Sequence, residues 1–211
     1  MSEQFDSDLA LRDITKVLTR KYKCHTVILY GSRARGTATK FSDYDVVGIC
    51  SRGLKMRIAK KTNGVYWDVF VYSEKDLRTL SEQQLGWRDA KVVFERGNYG
   101  RNFIHRLQKF VKEPFKPAPS YEIEATKVWS EKQLERISVG DVHGLYRRVE
   151  LQQAAVADYF HIRRKRFSGP KEALEWLRIN DPGTFKLFSR VYKNPMDMKA
   201  LKTLVDRVYK T

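Results

Sequence analysis

Two carboxylates two residues apart, Asp43 and Asp45, stand where a Ser-Asp-Tyr-Asp segment leads into the apolar run Val46-Val47. Side chains alternate across a strand, so such a pair points to one face, a few ångströms apart. Like charges held that close repel unless a cation lies between them, which is the chemistry of a divalent-metal site. The same residues also make turns, because Ser and Asp hydrogen-bond their own backbone there. The surroundings favour the metal. Upstream, the β-branched run Val27-Ile28-Leu29-Tyr30 reads as a short buried strand. Gly31-Ser32 breaks it, and a connection bearing Arg33 and Arg35 leads to the acidic pair. A third carboxylate, Asp68, lies inside the aromatic and β-branched run VYWDVFVY, residues 65–72. A charge there is costly without a partner, so Asp68 either completes an acidic group or faces water from an edge strand.

The stretch GSRARGTATKFSDYDV, residues 31–46, resembles the nucleotidyltransferase signature of the DNA polymerase β superfamily. It is most similar to the minimal nucleotidyltransferases and the kanamycin nucleotidyltransferase-like enzymes. The resemblance implies Mg²⁺-dependent transfer of a nucleoside monophosphate from an NTP, ATP by default, to a hydroxyl, with release of pyrophosphate. It implies Asp43, Asp45 and Asp68 as catalytic carboxylates and metal ligands, at a two-metal site of the kind that stabilises attacking and leaving oxygens. Gly31, Ser32, Arg33 and Arg35 would bind the nucleotide. Glycine lets phosphates approach the backbone, Ser32 adds a hydroxyl and amides at a helix start, and one of the arginines neutralises pyrophosphate. In kanamycin-type relatives a Glu of the helical domain acts as base. Glu150 is the candidate here, against the plainer reading of a surface Glu paired with Arg147 or Arg148. Arg163, Arg164 and Arg166 either finish a helix end, where cations suit the macrodipole, or contact acceptor phosphates.

The elements that must carry these residues follow from patterning. Asp6 or Ser7 caps a first helix running to about Lys21, with Leu9, Leu11, Ile14, Val17 and Leu18 on or near one face. The strand before Gly31 follows, then a second strand ending near Cys50. Next come a basic segment (Leu54–Lys61), an Asn63-Gly64 turn and a third strand (Val65–Tyr72). Ser73 to Asp76 reads as the cap of a helix turning Leu77, Leu80 and Leu85 inward. Lys91–Phe94 is a fourth strand and Tyr99–Lys112 a helix. Glu113–Ser120, with three prolines, is the linker. Beyond it the pattern is helical only: Ile123–Ile137, Val142 to about Phe167, and three more helices opened by Gly169-Pro170, Asp181-Pro182 and Asn194-Pro195. The expected class is α+β: a nucleotidyltransferase domain over residues 1–116, a mixed sheet with flanking helices, then an all-helical bundle over 117–211 that binds acceptor or partner.

Composition bounds the partners. Forty-one Lys and Arg against 25 Asp and Glu leave a formal charge of +16, which attracts polyanions and repels polycations. An aminoglycoside acceptor is therefore disfavoured against an RNA end or a protein. No run of about eighteen apolar residues is present to span a membrane. The polar, acidic start MSEQFDSDLALRD is unlike a targeting peptide, so a cytoplasmic setting is expected. Cys24 and Cys50 read as buried free thiols, and the four histidines lack ligand spacing. Two other classes stay open: a noncatalytic nucleic-acid-binding protein that keeps the fold, and one member of a toxin–antitoxin pair. Oligomeric state is open as well, a dimer included.

Overall fold

The computed structural model describes residues 8–53 and 55–210, and the chain divides into two compact units between Glu113 and Pro114. Asp6 and Ser7, the expected caps of the first helix, lie outside the described residues. Asp8 caps it instead: its carboxylate accepts the Leu11 N–H at 3.0 Å, and α1 spans Leu9–Arg20. Leu11, Ile14 and Leu18 are its buried stripe, whereas Leu9, expected with them, opens the helix on its outer side and is 71% exposed.

Five strands follow: β1 (Thr26–Leu29), β2 (Tyr44–Cys50), β3 (Met56–Thr62), β4 (Val65–Ser73) and β5 (Lys91–Glu95). A short helix, α2 (Gly31–Arg35), joins β1 to the loop before β2. The sheet order is β3-β4-β2-β1-β5. It is mixed: β2 and β4 run parallel, the other pairs antiparallel. β1, flanked on both sides, is buried at all four residues. From Met56 the basic segment expected before the Asn-Gly turn forms a strand, β3. Its Arg57, Lys60 and Lys61 dilute the apolar alternation, yet it is an edge, where charged side chains reach water and deter further pairing. Asn63 and Gly64 both take positive φ, 50° and 79°, as the two-residue hairpin between β3 and β4 requires.

The helix expected from Ser73 is absent. Two 3₁₀ turns, Lys75–Leu77 and Glu82–Trp87, take its place. Asp76, inside the first turn, accepts from the Ser73 N–H and hydroxyl at 2.8 and 2.7 Å. Ser81 and Gln84 form a capping box at the second. A new cap so soon after the first turn stops propagation, while Leu77 and Trp87 are still buried. The helix α3 (Tyr99–Lys112) forms as expected. One face of the sheet packs on α1 through Val27, Leu29, Val46 and Val69. The other packs on α3 and the second turn through Ile28, Val47, Ile49 and Tyr72 against Phe103, Leu107 and Trp87. Cys24 and Cys50 are buried free thiols with Sγ atoms 2.9 Å apart. Burial and the neighbouring Cys50 push the Cys24 thiol well above its ordinary range.

The second unit contains α4 (Ser120–Ile137), α5 (Val142–Ile162), α6 (Pro170–Asn180), α7 (Pro182–Lys193) and α8 (Met198–Tyr209). Leu151, Ala155, Leu177, Phe188, Leu201, Leu204 and Val208 form its core. Pro170 and Pro182 open their helices, as expected. Two boundaries differ. α5 stops at Ile162 rather than near Phe167, because Arg164 takes φ 51° and the Lys165 N–H closes back on the Phe160 carbonyl at 2.8 Å. α8 starts after Asp197, whose carboxylate accepts the Ala200 N–H at 2.9 Å, and not at Asn194-Pro195.

Candidate active site

Strand register builds the site. In the parallel pairing of β2 with β4, Asp45 lies directly opposite Asp68. Asp43 immediately precedes β2, two residues from Asp45 and on the same face. Asp45 shares that face with Val47 and Ile49, and Asp68 shares it with Phe70 and Tyr72, so the carboxylates continue the apolar layer that packs on α3. All three are half-buried, and one oxygen from each lies within 4.8 Å of the others. Asp68 is not on an edge: β4 is flanked by β3 and β2.

Gly31 forms the adjoining wall. It opens α2 with φ 71°, a left-handed conformation that glycine adopts without a steric penalty. It also touches Asp45: a Cβ placed on Gly31 would overlap Asp45 Oδ2 and stand 2.9 Å from Cγ. The Tyr30 N–H donates to the Asp45 carbonyl at 2.9 Å, tying the end of β1 to β2 at this point. Ser32 follows Gly31 in α2, and its carbonyl accepts the Thr37 N–H at 2.9 Å.

Arg33 turns inward. Its Nε donates to the Asp43 carbonyl at 3.0 Å and an Nη to the Ser42 carbonyl at 2.8 Å. The guanidinium stacks 3.9 Å from the Tyr44 ring centre. The Tyr44 hydroxyl in turn donates to the Asp8 carboxylate that caps α1, at 2.9 Å. Burial and that bond push the Tyr44 phenol up to about 12. Arg33 therefore clamps the loop that delivers Asp43. Arg35 approaches Asp89 at 3.8 Å.

Two residues at the site escaped the sequence reading. Tyr30, packed on Trp87 with ring centres 5.5 Å apart, has its phenol pushed well up by burial and by the nearby Asp45 and Asp68 charges. It stays protonated and able to donate. Arg57 grips Asp68 with both arms, Nε to Oδ1 at 2.6 Å and Nη2 to Oδ2 at 2.8 Å. That bond holds the guanidinium proton more tightly than usual. A signal existed: with a two-residue Asn-Gly turn, counting back along the hairpin puts Arg57 opposite Phe70. With Met56–Thr62 taken as part of a basic segment and its turn and not as a strand, that register is hidden.

The other candidates lie in the helical unit. Glu150 accepts from Arg147 at 3.0 Å. Arg163 donates to the Val208 and Arg207 carbonyls at 3.1 and 2.9 Å, closing the end of α8, and stacks 3.9 Å from the Tyr159 ring centre. Arg164 donates to the Ser120 hydroxyl at 2.9 Å. Arg166 lies 5.6 Å from the Phe115 ring centre.

No helix among the described residues is long and apolar enough to cross a membrane. One relative, from Methanocaldococcus jannaschii, carries the name "Putative protein adenylyltransferase MJ1305"; it is 27% identical over 104 residues, spanning 41% of this chain and 69% of that protein. The crystal structure of a nucleotidyltransferase-like protein from Exiguobacterium sibiricum 255-15 aligns with a TM-score of 0.39 and 13% identity, over 93% of this chain and 75% of that one. The family model described as the nucleotidyltransferase domain matches residues 11–139, which takes in all of β1, the Arg33 loop and all three carboxylates. With more than half of its length inside that match, the chain belongs to the nucleotidyltransferase family and is a transferase.

Proposed function

We propose that the chain transfers AMP from ATP to a hydroxyl acceptor, with Mg²⁺ held by Asp43, Asp45 and Asp68. The observation that carries this is the convergence of the three carboxylates beside Gly31. The donor set fits the ion: hard carboxylate oxygens from three residues are what Mg²⁺ prefers, and it bridges such groups to phosphates. When bound, the ion supplies neutralisation of the triphosphate and of charge developing on the attacking and leaving oxygens.

The chain's own residues do the rest. Gly31, without a side chain, leaves room for the Asp45 carboxylate close against the backbone, with Ser32 next to it. Arg33 keeps the Asp43 loop in register, so its contribution is positional. Tyr30 offers a protonated hydroxyl beside Asp45 and Asp68. The acceptor oxygen forms a bond to the α-phosphorus while the bond to the bridging oxygen of the β-phosphate breaks. Pyrophosphate leaves, and on this reading the acceptor's proton goes to Asp68.

The acceptor is a macromolecule, a protein hydroxyl or an RNA end. The name of the archaeal relative supports the adenylyl donor and the protein acceptor. The +16 charge supports the RNA end, since phosphates release counterions on binding. Incubation with each α-labelled NTP and Mg²⁺, in the presence of RNA or of lysate protein, tests the proposal. Label from ATP should enter one of the two fractions and vanish with a folded Asp43→Asn/Asp45→Asn variant. Asp68→Asn should cut turnover by orders of magnitude while nucleotide affinity stays within about tenfold, as for an interaction made mainly in the transition state. Undiminished transfer by the folded double variant would overturn the assignment.

A further inference from the structure

Arg57 is on the edge strand β3, and in the hairpin register it stands opposite Phe70. Phe70 and Asp68 share a face of β4, so a side chain leaving β3 at residue 57 crosses the Phe70 ring and reaches the carboxylate beyond. The guanidinium does so, 5.1 Å from the ring centre. It then meets Asp68 fork to fork, at 2.6 and 2.8 Å, the bidentate geometry that arginine makes and lysine cannot. Both oxygens of the third carboxylate are thereby engaged by a cation that belongs to the chain.

The two partners are not equally held. The Asp68 side chain is 20% exposed, and that of Arg57 is 59% exposed. The carboxylate is fixed between two strands, and the guanidinium reaches it from the solvent side of the edge strand. Ion pairs this open to water are weak, because the cation regains hydration on leaving. A divalent ion seated among Asp43, Asp45 and Asp68 brings two positive charges next to the same two oxygens. Like charges so placed repel.

We infer that Arg57 is a built-in counter-cation: it holds Asp68 in place and neutralises it before an ion enters, then releases at least one oxygen when the ion loads. This rests on the metal reading of the acidic group given above. It adds a competition. Removing the Arg57 charge tightens binding of a divalent ion, whereas a residue that merely propped Asp68 in place would weaken binding when lost.

Mn²⁺ binding to the full chain without nucleotide, read by electron paramagnetic resonance, tests this. Arg57→Gln should bind Mn²⁺ roughly threefold to tenfold more tightly than the parent, the scale of a neighbouring charge discounted for solvent exposure. Arg57→Lys, a point charge without the fork, should fall between them. In an Asp68→Asn background the Arg57→Gln change should shift affinity by no more than about twofold. Unchanged or weaker binding by Arg57→Gln, in a chain whose parental binding is abolished by Asp43→Asn/Asp45→Asn, overturns the counter-cation role and leaves the metal site standing. Absence of binding by parent and Arg57→Gln alike overturns both.

Discussion

Replacing Gly31 by Ala should disable the site through a contact, and a second glycine supplies the control. At Gly31 two penalties coincide. The backbone φ is 71°, where an L side chain costs about 1–2 kcal/mol. A Cβ there would also stand 2.9 Å from Asp45 Cγ, against 3.4 Å or more in ordinary contact. Asp45 must then shift by at least about 0.5 Å at Cγ, and further at Oδ2, or leave its rotamer at about 0.5–1.5 kcal/mol. Gly36 has a φ of 75° but nothing within 4 Å of the position its Cβ would take, so Gly36→Ala isolates the backbone penalty. Both variants should lose about 1–2 kcal/mol in denaturant unfolding, Gly31→Ala slightly more. Nucleotidyl transfer should separate them sharply. A displacement approaching 1 Å at a reacting group costs about 10²-fold in rate, so Gly31→Ala should fall by roughly two orders of magnitude, and Gly36→Ala by no more than a few-fold. If the two variants keep equal turnover with Mg²⁺ and ATP, the Gly31–Asp45 contact does not position the carboxylate and the reasoning fails.

Arg33→Ala should lower turnover by roughly ten- to a hundredfold through loss of the Asp43 loop clamp. Arg33→Lys should not restore it, since lysine lacks the fork and the flat stack; full rescue by Lys would contradict the clamp. Arg163→Gln should destabilise the helical unit by about 1–3 kcal/mol, because charged donors to the α8 carbonyls are lost. An unchanged unfolding midpoint would return Arg163 to the surface. Asp181 is pushed up by burial, but bonds from Thr184 and Tyr159 and the nearby Arg207 outweigh this and hold its carboxyl at about 2. The folded value lies below the unfolded one of roughly 3.9, so its contribution is present above about pH 4 and is lost as pH falls towards 2. Asp181→Asn should lower the unfolding midpoint at neutral pH and flatten that acid limb; parallel limbs in parent and variant would refute the assignment.

What the amino-acid order determined by itself is what covalent geometry and local hydrogen bonding dictate. The two-residue period of a strand is enough to put Asp43 and Asp45 on one face. Asn63-Gly64 specifies a hairpin turn, and Pro170 and Pro182 specify helix starts, because each acts through its own backbone angles or missing donor. The alternation of polar and helical patterns likewise separated a sheet-bearing half from an all-helical one. Residues 56–61 and 73–85 were misread for a related reason. An edge strand needs no buried face to hold its charges, and two short turns look like one helix until packing stops it.

Tertiary structure alone decided the partners. Asp68 could complete an acidic group or face water; the parallel pairing of β2 with β4 across the β3 crossover put it opposite Asp45. Arg33 and Arg35 are equivalent in sequence as basic residues of a short helix, yet Arg33 meets the loop carbonyls and the Tyr44 ring while Arg35 approaches Asp89. Arg163 is one of four consecutive basic residues, and closes a helix end 44 residues away. Each of these outcomes depends on which surfaces pack together. Many pairings satisfy the same local pattern, and burial energy summed over the whole core selects one.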